Sequence, residues 1–156
     1  LVDEDALVAA LDNGKLAHYV TDSPTPKVAG VKGVIAFPHL GASTEESEDN
    51  CAEMAVDQLM DYLENGNITN SVNYPNTQLG VCQTQGRISI LHRNIPNMLT
   101  RFTGAFAKDN INITEMSNKT KGDYAYAIFD VDSQITEESV QHITDIEGVL
   151  KVRVIK

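Results

Sequence analysis

One imidazole in this chain is placed for proton transfer by its neighbours in sequence. Val34-Ile35-Ala36-Phe37 is an apolar run suited to a strand covered on both faces, Pro38 ends its hydrogen-bonding ladder, and Gly41 allows a tight turn. His39 lies between them, and Ser43 with Glu46 reads as a capping box that opens a helix. Ligands of open α/β sheets sit in the crevice beyond the carboxyl ends of the strands, which makes His39 the candidate catalytic residue. Imidazole gives and takes protons near neutrality, the property an acid/base group needs. A lone His in a turn is also commonly a structural hydrogen bonder, and spacing alone leaves both readings open.

The elements around His39 are few. Asp3 can cap a helix whose Leu7, Val8, Ala10 and Leu11 make a narrow apolar face, with Asn13-Gly14 as its stop. A short strand, Leu16 to Val20, and a Pro-containing loop from Thr21 to Ala29 follow. After His39, Ala52, Ala55, Leu59, Met60 and Leu63 recur at helical spacing, which predicts a helix from about Thr44 to Glu64. Two strands and two helices cannot close a doubly wound sheet. Residues 1 to about 70 should therefore expose an apolar edge and face, and be poorly ordered or docked on another copy if nothing precedes them.

Asn67 to Gly86 is polar and aperiodic, a linker or an edge strand. From Arg87 the pattern becomes regular. Arg87 to His92 alternates as a strand, and Pro96 to Lys108 carries Met98, Leu99, Phe102, Ala105 and Phe106 on one helical face. Asn112 to Ser117 and Tyr124 to Asp132 read as a hairpin around the turn Asn118 to Asp123. Thr136 caps a helix with Val140, Ile143 and Ile146 inward, and Gly148 ends it. Leu150, Val152 and Val154 then face the core from a last strand, while Lys151 and Arg153 face out. The fold class is α+β: a ferredoxin-like βαββαβ domain at 86–156, preceded by an incomplete Rossmann-type α/β segment at 1–66 and a linker at 67–85.

Charge divides the chain the same way. Residues 1–80 hold 3 basic against 13 acidic side chains, and residues 81–156 hold 9 of each. Neither half carries a basic stripe, so nucleic acid is not an expected partner. No apolar run is long enough for a bilayer, no membrane association is expected, and a cytoplasmic location is inferred. Cys51 and Cys82 form no Cys-x-x-Cys pair, and Cys51 shares a helical stripe with Ala55 and Leu59, so both are expected to be buried or incidental thiols, with metal binding not expected.

Pro38-His39-Leu40-Gly41-Ala42-Ser43-Thr44, flanked by the two helices, resembles the end of the nucleotide-binding domain of the D-2-hydroxyacid dehydrogenases, most of all members that serve L-serine biosynthesis. Asn70-Ser71-Val72-Asn73-Tyr74-Pro75 looks like the exit from their catalytic half. The resemblance implies that His39 is the acid/base while hydride passes between substrate and NAD, and that the substrate is 3-phospho-D-glycerate or another D-2-hydroxy acid. The family's substrate-binding Arg lies in an Asn-x-x-Arg-Gly segment that would precede Leu1, and no Gly-x-Gly-x-x-Gly occurs in the chain. The expectation is a C-terminal fragment, inactive by itself. The family's His pairs with a Glu two residues beyond a Pro; counted from Pro24 that place is Pro26, followed by Lys27. Asp22 substitutes from a shifted register, or the orienting group comes from elsewhere, or His39 is less well held.

Leu91-His92-Arg93-Asn94-Ile95-Pro96-Asn97-Met98-Leu99 resembles the ACT domain, an amino-acid-sensing module. In serine-sensitive relatives, residues matching His92 and Asn94 bind L-serine together with one matching Asn112 from a facing subunit. Amide and imidazole groups suit a zwitterion, offering acceptors to its ammonium and donors to its carboxylate. Alternatively Asn94 caps the helix, and His92 and Asn112 are ordinary polar positions. Asn97 stands where the family usually has Gly after the Pro, which narrows the room for a ligand. Such modules pair sheet edge to edge, so a homo-oligomer is expected, and a non-catalytic binding or dimerisation module is the alternative function.

Overall fold

The computed structural model describes residues 2–156 and divides after Cys51 into two compact units. In the first, Asp3 Oδ1 accepts from Ala6 N–H at 3.0 Å and opens helix α1, Glu4–Asp12. Its Leu7 is buried, and the chain leaves through Asn13 and Gly14 in a left-handed turn. Strands β1, Tyr19–Thr21, and β2, Val34–Ala36, pair in parallel with Thr21 opposite Ala36. Gly33 holds φ at +91°, and a Cβ there would stand 3.1 Å from the Ala17 carbonyl oxygen, so the entry to β2 needs a glycine.

The cover expected over β2 is not supplied by the described residues. Ile35 is 51% and Phe37 50% exposed, because no helix of this unit lies across them. Helix α2, Glu45–Asn65, buries none of its side chains, and Met54, Leu59, Met60 and Leu63 are about half exposed. Cys51, read as a buried or incidental thiol, is exposed for the same reason. The capping group is Thr44, whose Oγ1 accepts from Ser47 N–H at 3.2 Å, one residue beyond the expected Ser43. Among the described residues no helix is long and apolar enough to cross a membrane.

The second unit holds strand β3 (Gly86–Arg93), helix α3 (Met98–Lys108), strands β4 (Ile113–Lys121) and β5 (Tyr124–Val131), helix α4 (Glu137–Thr144) and strand β6 (Val149–Val154). The sheet order is β4-β5-β3-β6 and every pair is antiparallel, which is the ferredoxin-like arrangement. Alternate residues of β3 and β5, among them Ile88, Ile90 and Phe129, meet Met98, Phe102 and Phe106 of α3 and Ile143 of α4 in one core. Thr136 Oγ1 accepts from Ser139 N–H at 3.2 Å and caps α4. The β4–β5 hairpin is tighter than expected: Lys121 pairs with Tyr124 across Gly122-Asp123, with Gly122 at φ +60°. Asn118 is therefore a strand residue, not part of the turn.

Two inward positions on β6 differ from the alternation read in sequence: Val154, though opposite Ile88, is 43% exposed, and Leu150 is displaced from the core. A register shift after Leu91 sets His92 opposite Val149 and Leu91 opposite Lys151, leaving Leu150 unpaired. Val149 packs on the core in its place, and Leu150 is exposed. Arg153 faces away from the core as expected, but is engaged: Nη1 donates to the Tyr62 carbonyl at 2.8 Å, Nη2 to that of Leu63, and the guanidinium lies over the Tyr62 ring.

The segment read as linker or edge strand packs on the sheet face opposite the helices. Ile68 and Thr77 exchange two backbone hydrogen bonds of 2.8 and 3.0 Å, and Asn67, Ile68 and Thr77 are buried. Tyr74 sets its ring edge-to-face against Tyr124 and Tyr126. Under it Arg87, fully buried, binds Asp130 through Nε at 2.5 Å and Nη2 at 2.7 Å. Its Nη1 donates to the carbonyls of Asn65 and Gly80, and its Nη2 also to that of Leu79.

Candidate functional site

Parallel pairing decides what His39 meets. Because Thr21 and Ala36 are in register, the residues just past both strands emerge at the same end of the ribbon. His39 Nδ1 lies 2.6 Å from Asp22 Oδ2, and Asp22 Oδ1 accepts from Ser23 Oγ at 3.3 Å. The orienting group is thus the shifted carboxylate Asp22. It fixes the ring with Nδ1 protonated, leaving Nε2 free to exchange a proton. The His39 side chain is 73% exposed, so the dyad is open on the side away from Asp22. Lys27, which follows the position where a Glu was sought, pairs with Asp5 at 2.6 Å.

NAD, which a dehydrogenase reading implies, needs a glycine-rich turn between strand and helix over its pyrophosphate. The turn between β2 and α2 carries one glycine, Gly41, and α1 follows no strand among the described residues. The residues present therefore do not form that cradle, and what they offer to chemistry is the His39–Asp22 pair.

The second site lies at the start of α3. A cavity of about 290 Å³ is lined by His92, Asn94, Ile95, Asn97, Met98, Leu99, Thr100 and Asn118. His92 ends the inward face of β3, buried edge-to-face against Phe102 at 5.0 Å, with Nδ1 2.8 Å from the Arg93 carbonyl and Nε2 3.0 Å from Asn118 Oδ1. Asn94 is not a helix cap: its Nδ2 donates to the Gly122 carbonyl at 3.0 Å and its N–H to that of Asp123, tying the loop to the hairpin. The N-cap position is Asn97, left-handed at φ +68° and without a side-chain cap bond. That conformation accounts for a residue type here that is glycine or, as the next most tolerant, Asn.

Asn112 is not brought to this cavity within one copy. It precedes the far end of β4, where Ile113 pairs with Val131, and its N–H donates to Asp132 Oδ1 at 3.2 Å. Asn118 lies six residue steps further along the chain, about 20 Å at the usual rise of a strand. Asn118 was absent from the sequence-derived site. Its signal was the Gly122-Asp123 pair, which as a two-residue hairpin turn extends β4 past Asn118 and sets it opposite the core-facing Ala127.

No family model matches the chain. D-3-phosphoglycerate dehydrogenase of Haemophilus influenzae is 28% identical over 166 residues, covering 99% of this chain and 40% of that protein. The chain is similar in sequence to D-3-phosphoglycerate dehydrogenases. That of Escherichia coli K12 is 27% identical over 86% of this chain and 33% of its own length, and that of Dictyostelium discoideum 30% over 78% and 29%. The chain thus spans well under half the length of the D-3-phosphoglycerate dehydrogenases it matches. Among solved structures, the ACT domain from GTP pyrophosphokinase of Chlorobium tepidum aligns with 46% of this chain and 96% of its own, at 18% identity and TM-score 0.41.

Proposed function

We propose that the chain is the C-terminal part of an NAD-dependent D-3-phosphoglycerate dehydrogenase, in which His39 is the acid/base and the second unit is a regulatory module. The observation that carries the catalytic half is the 2.6 Å contact between His39 and Asp22 at the carboxyl end of two parallel strands. An imidazole so oriented accepts the proton of the substrate's 2-hydroxyl as it is oxidised to a ketone, and returns it in reverse. Asp22 keeps Nδ1 protonated and stabilises the imidazolium that forms. The half-exposed Val20, Ile35 and Phe37 suit strands that take further neighbours in the whole enzyme.

The module's ligand in this reading is L-serine, held by the loop of His92 and Asn94, with Asn112 contributed by a second copy paired through the open edge of β4. Support comes from a polar cavity at a helix start and from the separation of Asn112 within one copy. The test of the catalytic half is His39→Asn in the dehydrogenase of which the chain is proposed to be part. Loss of an acid/base group lowers kcat by about 10²- to 10⁴-fold, with KM little altered, and Asp22→Asn gives a smaller loss. An unchanged kcat in His39→Asn would refute the assignment.

A further inference from the structure

Three polar side chains of the cavity at the start of α3, Asn97, Thr100 and Asn118, are assigned to a ligand by no resemblance, and of these Asn118 touches His92. Asn118 stands on β4 with its amide 3.0 Å from His92 Nε2. The other ring nitrogen faces the Arg93 carbonyl oxygen at 2.8 Å, which can only accept, so Nδ1 carries hydrogen. Both ring nitrogens are thereby engaged inside the protein, and Asn94 has its NH₂ on Gly122. Of the three side chains assigned to a ligand by resemblance, His92 and the NH₂ of Asn94 are thus already engaged.

The state of Nε2 dictates how Asn118 faces the cavity. An imidazolium donates from Nε2 to Oδ1 and turns the NH₂ of Asn118 away from the ring. A neutral ring has a lone pair at Nε2, which takes a hydrogen from the NH₂ and turns Oδ1 away instead. The two amide orientations have nearly the same shape and interchange by a half-turn. No carboxylate lines the cavity, so the described residues there offer an imidazolium no counter-charge; the neutral arrangement, reached from the Oδ1-to-Nε2 contact by a half-turn of the amide, keeps both ring nitrogens hydrogen-bonded and leaves Oδ1 free for a ligand.

We propose that Asn118 is a ligand-contacting residue of this cavity. With His92 neutral, its Oδ1 accepts a hydrogen bond from the ammonium of a zwitterionic amino acid. His92 is then a positioning residue that acts through Asn118 by fixing the amide's direction. The carboxylate end of the same ligand meets the first N–H groups of α3 beside Asn97, where it finds donors and no opposing charge. The inference rests on the effector reading above and adds the group that selects for an amine.

Calorimetric titration of the full 156-residue chain with L-serine and with glycerate, which has a hydroxyl in place of the ammonium, tests it. Wild type is expected to bind L-serine saturably and glycerate much more weakly. Asn118→Leu loses roughly ten- to hundredfold in L-serine affinity, the worth of a hydrogen bond to a charged group, and with it the preference over glycerate. In Asn118→Asp the new carboxylate supplies the counter-charge the cavity lacks, so the ring takes up a proton and pairs with one oxygen, the other is left for the ammonium, and L-serine binding is retained within a few-fold. Should the Leu variant fail to fold, the Asp variant and the glycerate comparison decide. L-serine affinity unchanged in Asn118→Leu, lost in Asn118→Asp, or equalled by glycerate in wild type overturns the role of Asn118. Absence of saturable L-serine binding to wild type overturns the effector reading first, and is recognised because it precedes any substitution.

Discussion

Replacing Arg87 by Met is the sharpest test of what holds the second unit together. The side chain is fully buried and makes five hydrogen bonds, two to Asp130 and one each to the carbonyls of Asn65, Leu79 and Gly80. Hydrogen bonding to Asp130 holds the guanidinium's pKa above its ordinary value against the opposing effect of burial, so the guanidinium is charged. Met fills similar space but leaves Asp130, 4% exposed, without its counter-charge. Breaking one side of a buried pair costs about 3 to 5 kcal/mol. The three carbonyls add to that, at about 1 kcal/mol or more for each that water cannot reach. Against a domain stability of about 5 to 15 kcal/mol the variant is expected to be barely folded. Urea unfolding followed by tyrosine fluorescence suits the measurement: the chain has no Trp, and four of its five Tyr residues, Tyr62, Tyr74, Tyr124 and Tyr126, lie in this unit. Arg87→Met with Asp130→Leu removes the stranded carboxylate but not the stranded carbonyls, so it should recover about 2 to 3 kcal/mol and no more. A loss below about 1 kcal/mol in the single variant, or no recovery in the double, would refute the reasoning.

Tyr126 and Asn97 give two further outcomes. Burial pushes the Tyr126 hydroxyl up to about 12, while it donates to the Gly66 carbonyl at 2.7 Å. Because the folded value exceeds the unfolded one, stability is intact below pH 10 and falls by about 3 kcal/mol as pH rises through 12. Tyr126→Phe should cost about 1 kcal/mol at neutral pH and remove that alkaline step from an unfolding series taken between pH 9 and 12. Asn97→Ala places an ordinary residue at φ +68° and should lower stability by about 1 kcal/mol, whereas Asn97→Gly should not; melting curves of the two variants decide.

Local signals carried the reading furthest. Asp3 and Thr136 were legible as caps because a cap is a contact over three residues, and the inward faces of α3 and α4 because their spacing is helical. What stayed hidden depends on a neighbour. Val149 replaces Leu150 in the core because of a register shift set on β3, not by anything in β6 itself. Asp22 meets His39 because two strands are parallel and in register, a fact neither strand's sequence states. Arg87 looked like an ordinary strand end; its burial follows from Asp130 opposite it and from three carbonyls supplied by residues 65–80.

The strap of residues 66–80 also bears on where this molecule can be cut. A βαββαβ module counted from Gly86 looks complete in secondary structure, yet its central strands would then present Arg87, Tyr126 and Ile128 to water, with the guanidinium and the phenol hydroxyl stripped of their carbonyl acceptors. The independent piece is longer than its element diagram, and takes in the last turns of α2 and the loop that lies over the sheet. Transplanting or trimming this module by counting strands and helices would sever its second core from the first, and the natural seam lies inside a helix.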